Sequence, residues 1–178
     1  RGPLAGPVCA AAVILPKRLE IPGLNDSKKL SDKRRRELFP LIQAQALACG
    51  IAFASQEEID ELNILQATFL AMSRALEQLE PKAQFALIDG NRQTDFGIPC
   101  RTVVQGDSLS ANIAAASVLA KVTRDDYMIK MAETYPGYGF EIHKGYGTKA
   151  HYAALRELGP CPIHRKTFLK KFYGESAG

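Results

Sequence analysis

An α/β or α+β chain, with one mixed sheet flanked by helices, is predicted from three observations. Short apolar runs of strand length lie at residues 8–15, 50–55, 84–90 and 100–107. Longer stretches with apolar residues three and four apart lie among them, so strands and helices are interspersed. The chain has 178 residues and no internal repeat, low-complexity tract or dividing linker, which suits a single domain over 1–178.

The elements follow in order. Residues 8–15 ("VCAAAVIL") are continuously apolar, bounded by the Gly/Pro loop "RGPLAGP" and by Pro16, as a buried strand would be. Residues 16–30 form a polar connection. Ser31 is placed to cap a helix running to about Cys49, and Pro40 is expected to kink or restart it. "GIAFAS" (50–55) is a short strand. Leu62, Leu65, Phe69, Met72, Leu76 and Leu79 then alternate steps of three and four, one apolar stripe along one helix. "QFALIDG" (84–90) and "CRTVVQGD" (100–107) are apolar strands that each end in an acid. A second long helix is expected from about Ser108 to Tyr135, where the small residues of "ANIAAASVLAKV" allow close packing on a sheet. A Gly/Tyr/Pro-rich loop (136–148), a short helix (149–158) and a basic, aromatic end (164–173) complete the chain.

Composition narrows the class. Hydrophobic residues make up 46% and charged residues 24%, ordinary proportions for a globular protein. No apolar run approaches the ~20 residues of a membrane span, so no membrane association is expected. A net charge of +4 permits a polyanionic partner without requiring one. Cys9, Cys49, Cys100 and Cys161 are far apart, and Cys9 and Cys49 fall in or beside apolar runs. They are expected to be buried thiols in a reducing compartment, the cytoplasm. Neither they nor His143, His151 and His164 have the spacing of zinc ligands.

Two acids carry the candidate chemistry. Asp89 follows the apolar strand 85–88 at its C-terminal end, the edge where open α/β sheets bind ligands. Read alone, Asp89–Gly90 is also an ordinary turn. Asp107 likewise follows a strand and precedes a helix, where it would serve as a plain N-cap. If the two strands are neighbours, both carboxylates could share a hard divalent cation that retains waters for substrate phosphates. Asp125 and Asp126 lie about 27 Å further along the same helix at ~1.5 Å per residue, too far to share that ion. They are expected on a solvated face or paired with Arg124.

Three basic clusters punctuate the loops. "HKGYGTKAH" (143–151) offers His143, Lys144 and Tyr146 among glycines, with backbone amides for phosphate and a ring for stacking. "NDSKK" (25–29) adds Asn25, Ser27, Lys28 and Lys29, and "HRKTF" (164–168) adds Arg165. Brought together, they would form a nucleic-acid footprint.

In combination, "LNDSKKLS", "IDGNR", "GDSLSANIAAASVLAKVTRD", "YPGYGFEIHKGYGTKAH" and "PIHRKTF" closely resemble bacterial ribonuclease HII, in that order and over nearly the whole chain. The resemblance implies a ribonuclease H-like fold, with a mixed central sheet, flanking helices and a helical C-terminal extension. It implies Mg²⁺- or Mn²⁺-dependent cleavage of the RNA strand of RNA–DNA hybrids. It also implies nicking 5′ of single ribonucleotides in duplex DNA, leaving 5′-phosphate and 3′-hydroxyl ends. The expected enzyme is a monomer.

By residue matching, Asp89 is implied as a metal ligand and Asp107 as a second active-site carboxylate. Arg1, Gly2 and Tyr146 are implied in recognising the ribonucleotide junction. The family's first motif reads Asp-Glu-x-Gly-Arg-Gly, so Arg1 and Gly2 match its Arg-Gly. The first strand and its Asp-Glu pair are expected upstream of Arg1. Without that strand, unpaired backbone groups at about 1–3 kcal/mol each would leave the chain poorly folded. A hybrid-binding module without activity is the alternative reading, and an unrelated α/β enzyme with a basic surface is a third.

Overall fold

The computed structural model describes residues 1–24, 27–92 and 94–175. In chain order the elements are β1 (Val8–Ile14), α1 (Asp32–Gln45), β2 (Ala48–Ala54), α2 (Gln56–Leu62), α3 (Ile64–Glu77), β3 (Ala86–Asp89) and β4 (Cys100–Val103). They continue with α4 (Gly106–Leu109), α5 (Ala111–Thr134), α6 (Phe140–His143), α7 (Lys149–Leu158) and α8 (Lys166–Glu175). This is the α/β chain that the strand and helix pattern predicts, with a helical C-terminal end.

Among the described residues the strands form two two-stranded sheets, β1–β2 and β3–β4, where one mixed sheet is expected. β2 begins beside the end of β1, where the Leu47 N–H donates to the Ile14 carbonyl at 2.7 Å. β3 and β4 run parallel in a register that sets Ala86 opposite Cys100 and Asp89 opposite Val103. No described strand lies between the two ladders.

The chain packs as two compact units. The sheet unit comprises 9–53 and 69–123; the terminal unit comprises 1–8, 54–68 and 124–178.

In the sheet unit, Leu15, Ile21, Leu38, Ile42, Ala115, Val118, Leu119 and Val122 form one core. The small residues of α5 pack there as their size predicts. Ser31 caps α1 by accepting from the Arg34 N–H at 3.2 Å. Pro40, expected to kink or restart this helix, sits inside it. Leu38 and Ile42 flank it, both with no exposed surface. Burying two such side chains is worth ~3–6 kcal/mol, enough to offset the ~3 kcal/mol of an interior proline.

The predicted stripe is divided at Asn63, whose left-handed backbone (φ 71°) ends α2 and whose side chain caps α3. Within α3 the most buried line includes Ala71 and Ala75, while Met72 and Leu76 flank it half-buried. Gly50 of β2 allows this approach: a Cβ there would lie 2.1 Å from the Ala75 carbonyl oxygen. Cys9 and Cys49 are half-buried rather than buried, because their strands alternate faces and both sit on the more open one.

In the terminal unit, Ala5, Met128, Tyr138, Phe140, Ala154 and Ile163 form a core, with Leu4, Leu155 and Leu169 as a satellite. A capping box joins Ser55 and Glu58 at the start of α2. Thr148 caps α7 through the His151 N–H. Asp60 accepts from the Lys166 and Thr167 N–H groups at the head of α8.

Candidate active site and nucleic-acid interface

The acid pair arises from strand register. β3 ends at Asp89, opposite Val103 in β4, and the Gly90 N–H donates to the Val103 carbonyl at 3.0 Å. The chain then turns through Gln105, whose backbone is left-handed (φ 55°), into α4. That turn brings the Gly106 N–H within 3.0 Å of Asp89 Oδ1, and Asp107 is the next residue. Gly106 is required by closeness: a Cβ there would sit 2.5 Å from Ile113 Cδ1 and 3.3 Å from Asp89 Oδ1. The expected single helix from Ser108 is therefore two, because Ser110 is extended (φ −133°) between α4 and α5. Asp107 is buried and Asp89 half-buried.

Two carboxylates at a strand end and a helix start suit a hard divalent cation. No group of three or more His, Cys, Asp or Glu able to hold a metal occurs among the described residues. Asp125, expected on a solvated face, is buried, and only Asp126 is exposed. The buried face of α5 continues past the small-residue stretch to Asp125 and Met128.

Of the 25–29 cluster, Asn25 lies outside the described residues. Lys28 and Lys29 are exposed. Ser27 is buried, and its carbonyl accepts from Arg35 Nη1 at 2.8 Å, as does that of Leu30 at 2.5 Å. Ser27, expected in the nucleic-acid footprint, thus shapes by its carbonyl the turn that presents the lysines.

In the terminal unit, Arg1 and Gly2 are exposed, and a Cβ on Gly2 would meet nothing within 4 Å. Arg165 has no exposed surface. Its guanidinium donates to the carbonyls of Gly6 (2.8 Å), Arg1 (2.7 Å) and Pro7 (3.3 Å) and stacks on Phe168. Burial, and then Arg124 nearby, draws it down to about 9, still charged at neutral pH. Its expected phosphate contact is corrected: its donors serve the N-terminal loop. Arg124 grips the same loop, donating to Pro7 (3.0 Å), Ala5 (2.9 Å) and Lys144 (3.0 Å). Sequence reasoning missed it, since no local pattern marks an arginine with two of its three main-chain acceptors more than a hundred residues away.

Tyr146 is 45% exposed, with Arg124 5.9 Å from its ring centroid. Lys144 is half-buried, with a left-handed backbone (φ 52°) and its ammonium donating to the Glu141 carbonyl. His143 is buried and corrected likewise. Its Nδ1 accepts from the Gly145 N–H (3.1 Å), leaving Nε2–H to donate to the Tyr138 carbonyl (2.7 Å).

A second imidazole pair braces the loop from below. His164 Nδ1 accepts from the Cys161 N–H (2.9 Å), so its proton is on Nε2, 3.0 Å from His151 Nε2. His151 then carries its proton on Nδ1, facing the Tyr146 carbonyl at 2.9 Å. Burial lowers both rings, His164 to about 4 with the neighbouring His151 adding to the effect, so both are neutral at pH 7.

The sequence pattern of the family Ribonuclease HII matches residues 1–171. The chain belongs to the ribonuclease HII family. It is 58% identical to the ribonuclease HII of Syntrophotalea carbinolica over 168 residues, 94% of this chain and 80% of that one. To the ribonuclease HII of Geobacter sulfurreducens it is 52% identical over 178 residues, 99% of this chain and 82% of the relative. Among solved structures, the ribonuclease H2 of Pyrococcus horikoshii OT3 superposes with a TM-score of 0.80. It is 25% identical, with 98% of this chain and 93% of that one covered. The chain is thus a ribonuclease H hydrolase with the fold of that family. No helix among the described residues is long and apolar enough to cross a membrane.

Proposed function

We propose that this ribonuclease HII hydrolyses the RNA strand of RNA–DNA hybrids and nicks duplex DNA 5′ of single embedded ribonucleotides. The observation that carries the reading is the 3.0 Å bond from the Gly106 N–H to Asp89 Oδ1, which sets the residue before Asp107 against Asp89. Asp89 and Asp107 would hold a divalent cation, Mg²⁺ or Mn²⁺, which when bound would supply activation of a water and stabilisation of the leaving 3′-oxygen.

The loops supply recognition. The open space over Gly2 leaves room for a ribose, whose 2′-hydroxyl separates RNA from DNA. Tyr146 stacks on the sugar of the deoxynucleotide after the ribonucleotide, a flat contact that a further 2′-hydroxyl disturbs. Lys28, Lys29 and Lys144 neutralise phosphates.

The test uses the full-length protein and two duplexes, one with a single ribonucleotide and one with a continuous RNA strand. Asp89→Asn is expected to abolish cleavage of both while binding survives; cleavage at near-parent rate removes the assignment. Tyr146→Ala is expected to lower the ratio of the two rates, single ribonucleotide over hybrid, by about tenfold to a hundredfold. An unchanged ratio removes the junction-sensing role.

A further inference from the structure

Arg124 spends its donors where the acid pair has no need of them. Nε, Nη1 and Nη2 each donate to a main-chain carbonyl: Pro7, Lys144 and Ala5 respectively. Pro7 and Ala5 belong to the N-terminal loop, Lys144 to the loop that carries Tyr146. The two loops also touch directly, since the Leu4 N–H donates to the Gly145 carbonyl at 2.8 Å. A Cβ on Gly145 would lie 2.7 Å from the Ala5 carbonyl oxygen. The same guanidinium stands 5.9 Å from the Tyr146 ring centroid, close enough for its charge to favour one ring position.

We infer that Arg124 is a positioning residue for substrate choice: by tying the N-terminal loop, at Ala5 and Pro7 downstream of Arg1 and Gly2, to the Tyr146 loop, it sets the preference for a single-ribonucleotide junction over a continuous hybrid. The inference rests on the junction-sensing reading of Tyr146 given above. A guanidinium suits the task because its five donors lie in one rigid plane and reach three carbonyls at once. A lysine ammonium is a point charge and cannot bridge them. Arg165 grips the N-terminal loop through Gly6, Arg1 and Pro7, but among its bonds none reaches the Tyr146 loop. Arg124 spans both by side chain.

Arg124→Lys tests this, because it keeps the charge and removes the fork. In the full-length protein with Mg²⁺, kcat/KM on the two duplexes gives the junction preference. That ratio is expected to fall roughly tenfold, as a small misplacement of a positioning group does. Adding Arg124→Lys to Tyr146→Ala is expected to lower it no further, since both changes break one linkage. Amide hydrogen exchange gives a readout apart from activity: the Leu4 N–H should exchange at least about tenfold faster in Arg124→Lys, with Ala86 in β3 unchanged.

If Tyr146→Ala lowers the ratio and Arg124→Lys does not, the inference falls and the Tyr146 reading stands. If Tyr146→Ala leaves the ratio unchanged, both fall. Unchanged exchange at Leu4 overturns the linkage whatever the rates. Equal loss on both substrates with a lower melting temperature also overturns it, as a purely structural role would act that way. Should Arg124→Lys fold poorly, Gly145→Ala drives a methyl group into the same contact and is expected to lower the same ratio; an unchanged ratio there overturns the inference too.

Discussion

The acid end of β3 and the loop that carries Tyr146 are held by opposite means. In the sheet unit, Asp89 is placed by strand register and by one side-chain bond, the Gly106 N–H on its carboxylate. In the terminal unit, six guanidinium-to-carbonyl bonds from Arg124 and Arg165, with three buried histidines, set loops that have no regular structure of their own. Secondary structure is enough to bring one carboxylate to the start of the short helix that carries the other. A loop that must present backbone and ring together needs bonds brought from far along the chain.

This contrast is most exposed to failure at Asp107. Asp107→Asn keeps the shape and removes the charge, and turnover is expected to drop by about a thousandfold or more with the melting temperature little changed. Asp125→Asn, in α5 and also buried, is expected to act through stability instead. If both variants lose activity alike with folding intact, the division between chemistry and scaffold on this segment is wrong.

A smaller effect sharpens the other half of the comparison. The unfolded chain protonates His164 as the pH falls through about 6.5, whereas burial holds the folded ring neutral down to about 4. Its contribution is therefore fully present above about 6.5 and is lost as the pH falls between those values, by about 2 kcal/mol from pH 7 to pH 5. The depressed His151 adds in the same direction. Urea unfolding at the two pH values measures it. His164→Gln should flatten the dependence, and a parent-like slope in that variant would sink the assignment.

The smallest effect belongs to the exposed lysines. Lys28→Ala or Lys29→Ala should weaken binding to every duplex alike and reduce the salt slope by about one unit per lost phosphate contact. A slope unmoved in both places the footprint elsewhere.

Legibility in the sequence follows the same division. The apolar strand ending in Asp89 could be read directly, because period and turn chemistry are local. Asp107, expected at the end of the next strand as an N-cap, lies inside α4, since β4 stops at Val103 and the chain turns through Gln105. The fate of Pro40 could not, since it depends on Leu38 and Ile42 finding a core formed by residues of α5. His143 and Arg165 looked like phosphate ligands because a cation or imidazole in a glycine-rich loop has the same letters whether it faces out or in. Only the fold supplies the carbonyls that turn them inward. Arg124 was the least visible of all: its three acceptors are main-chain atoms, and main-chain atoms leave no mark on a sequence.

That last point has a practical side for protein engineering. A grip on carbonyls does not depend on which side chains the gripped residues carry. The carbonyls of Arg1 and Lys144 are held by Arg165 and Arg124. A change of side chain at either position therefore tests its proposed part in substrate recognition while that grip on the backbone is kept.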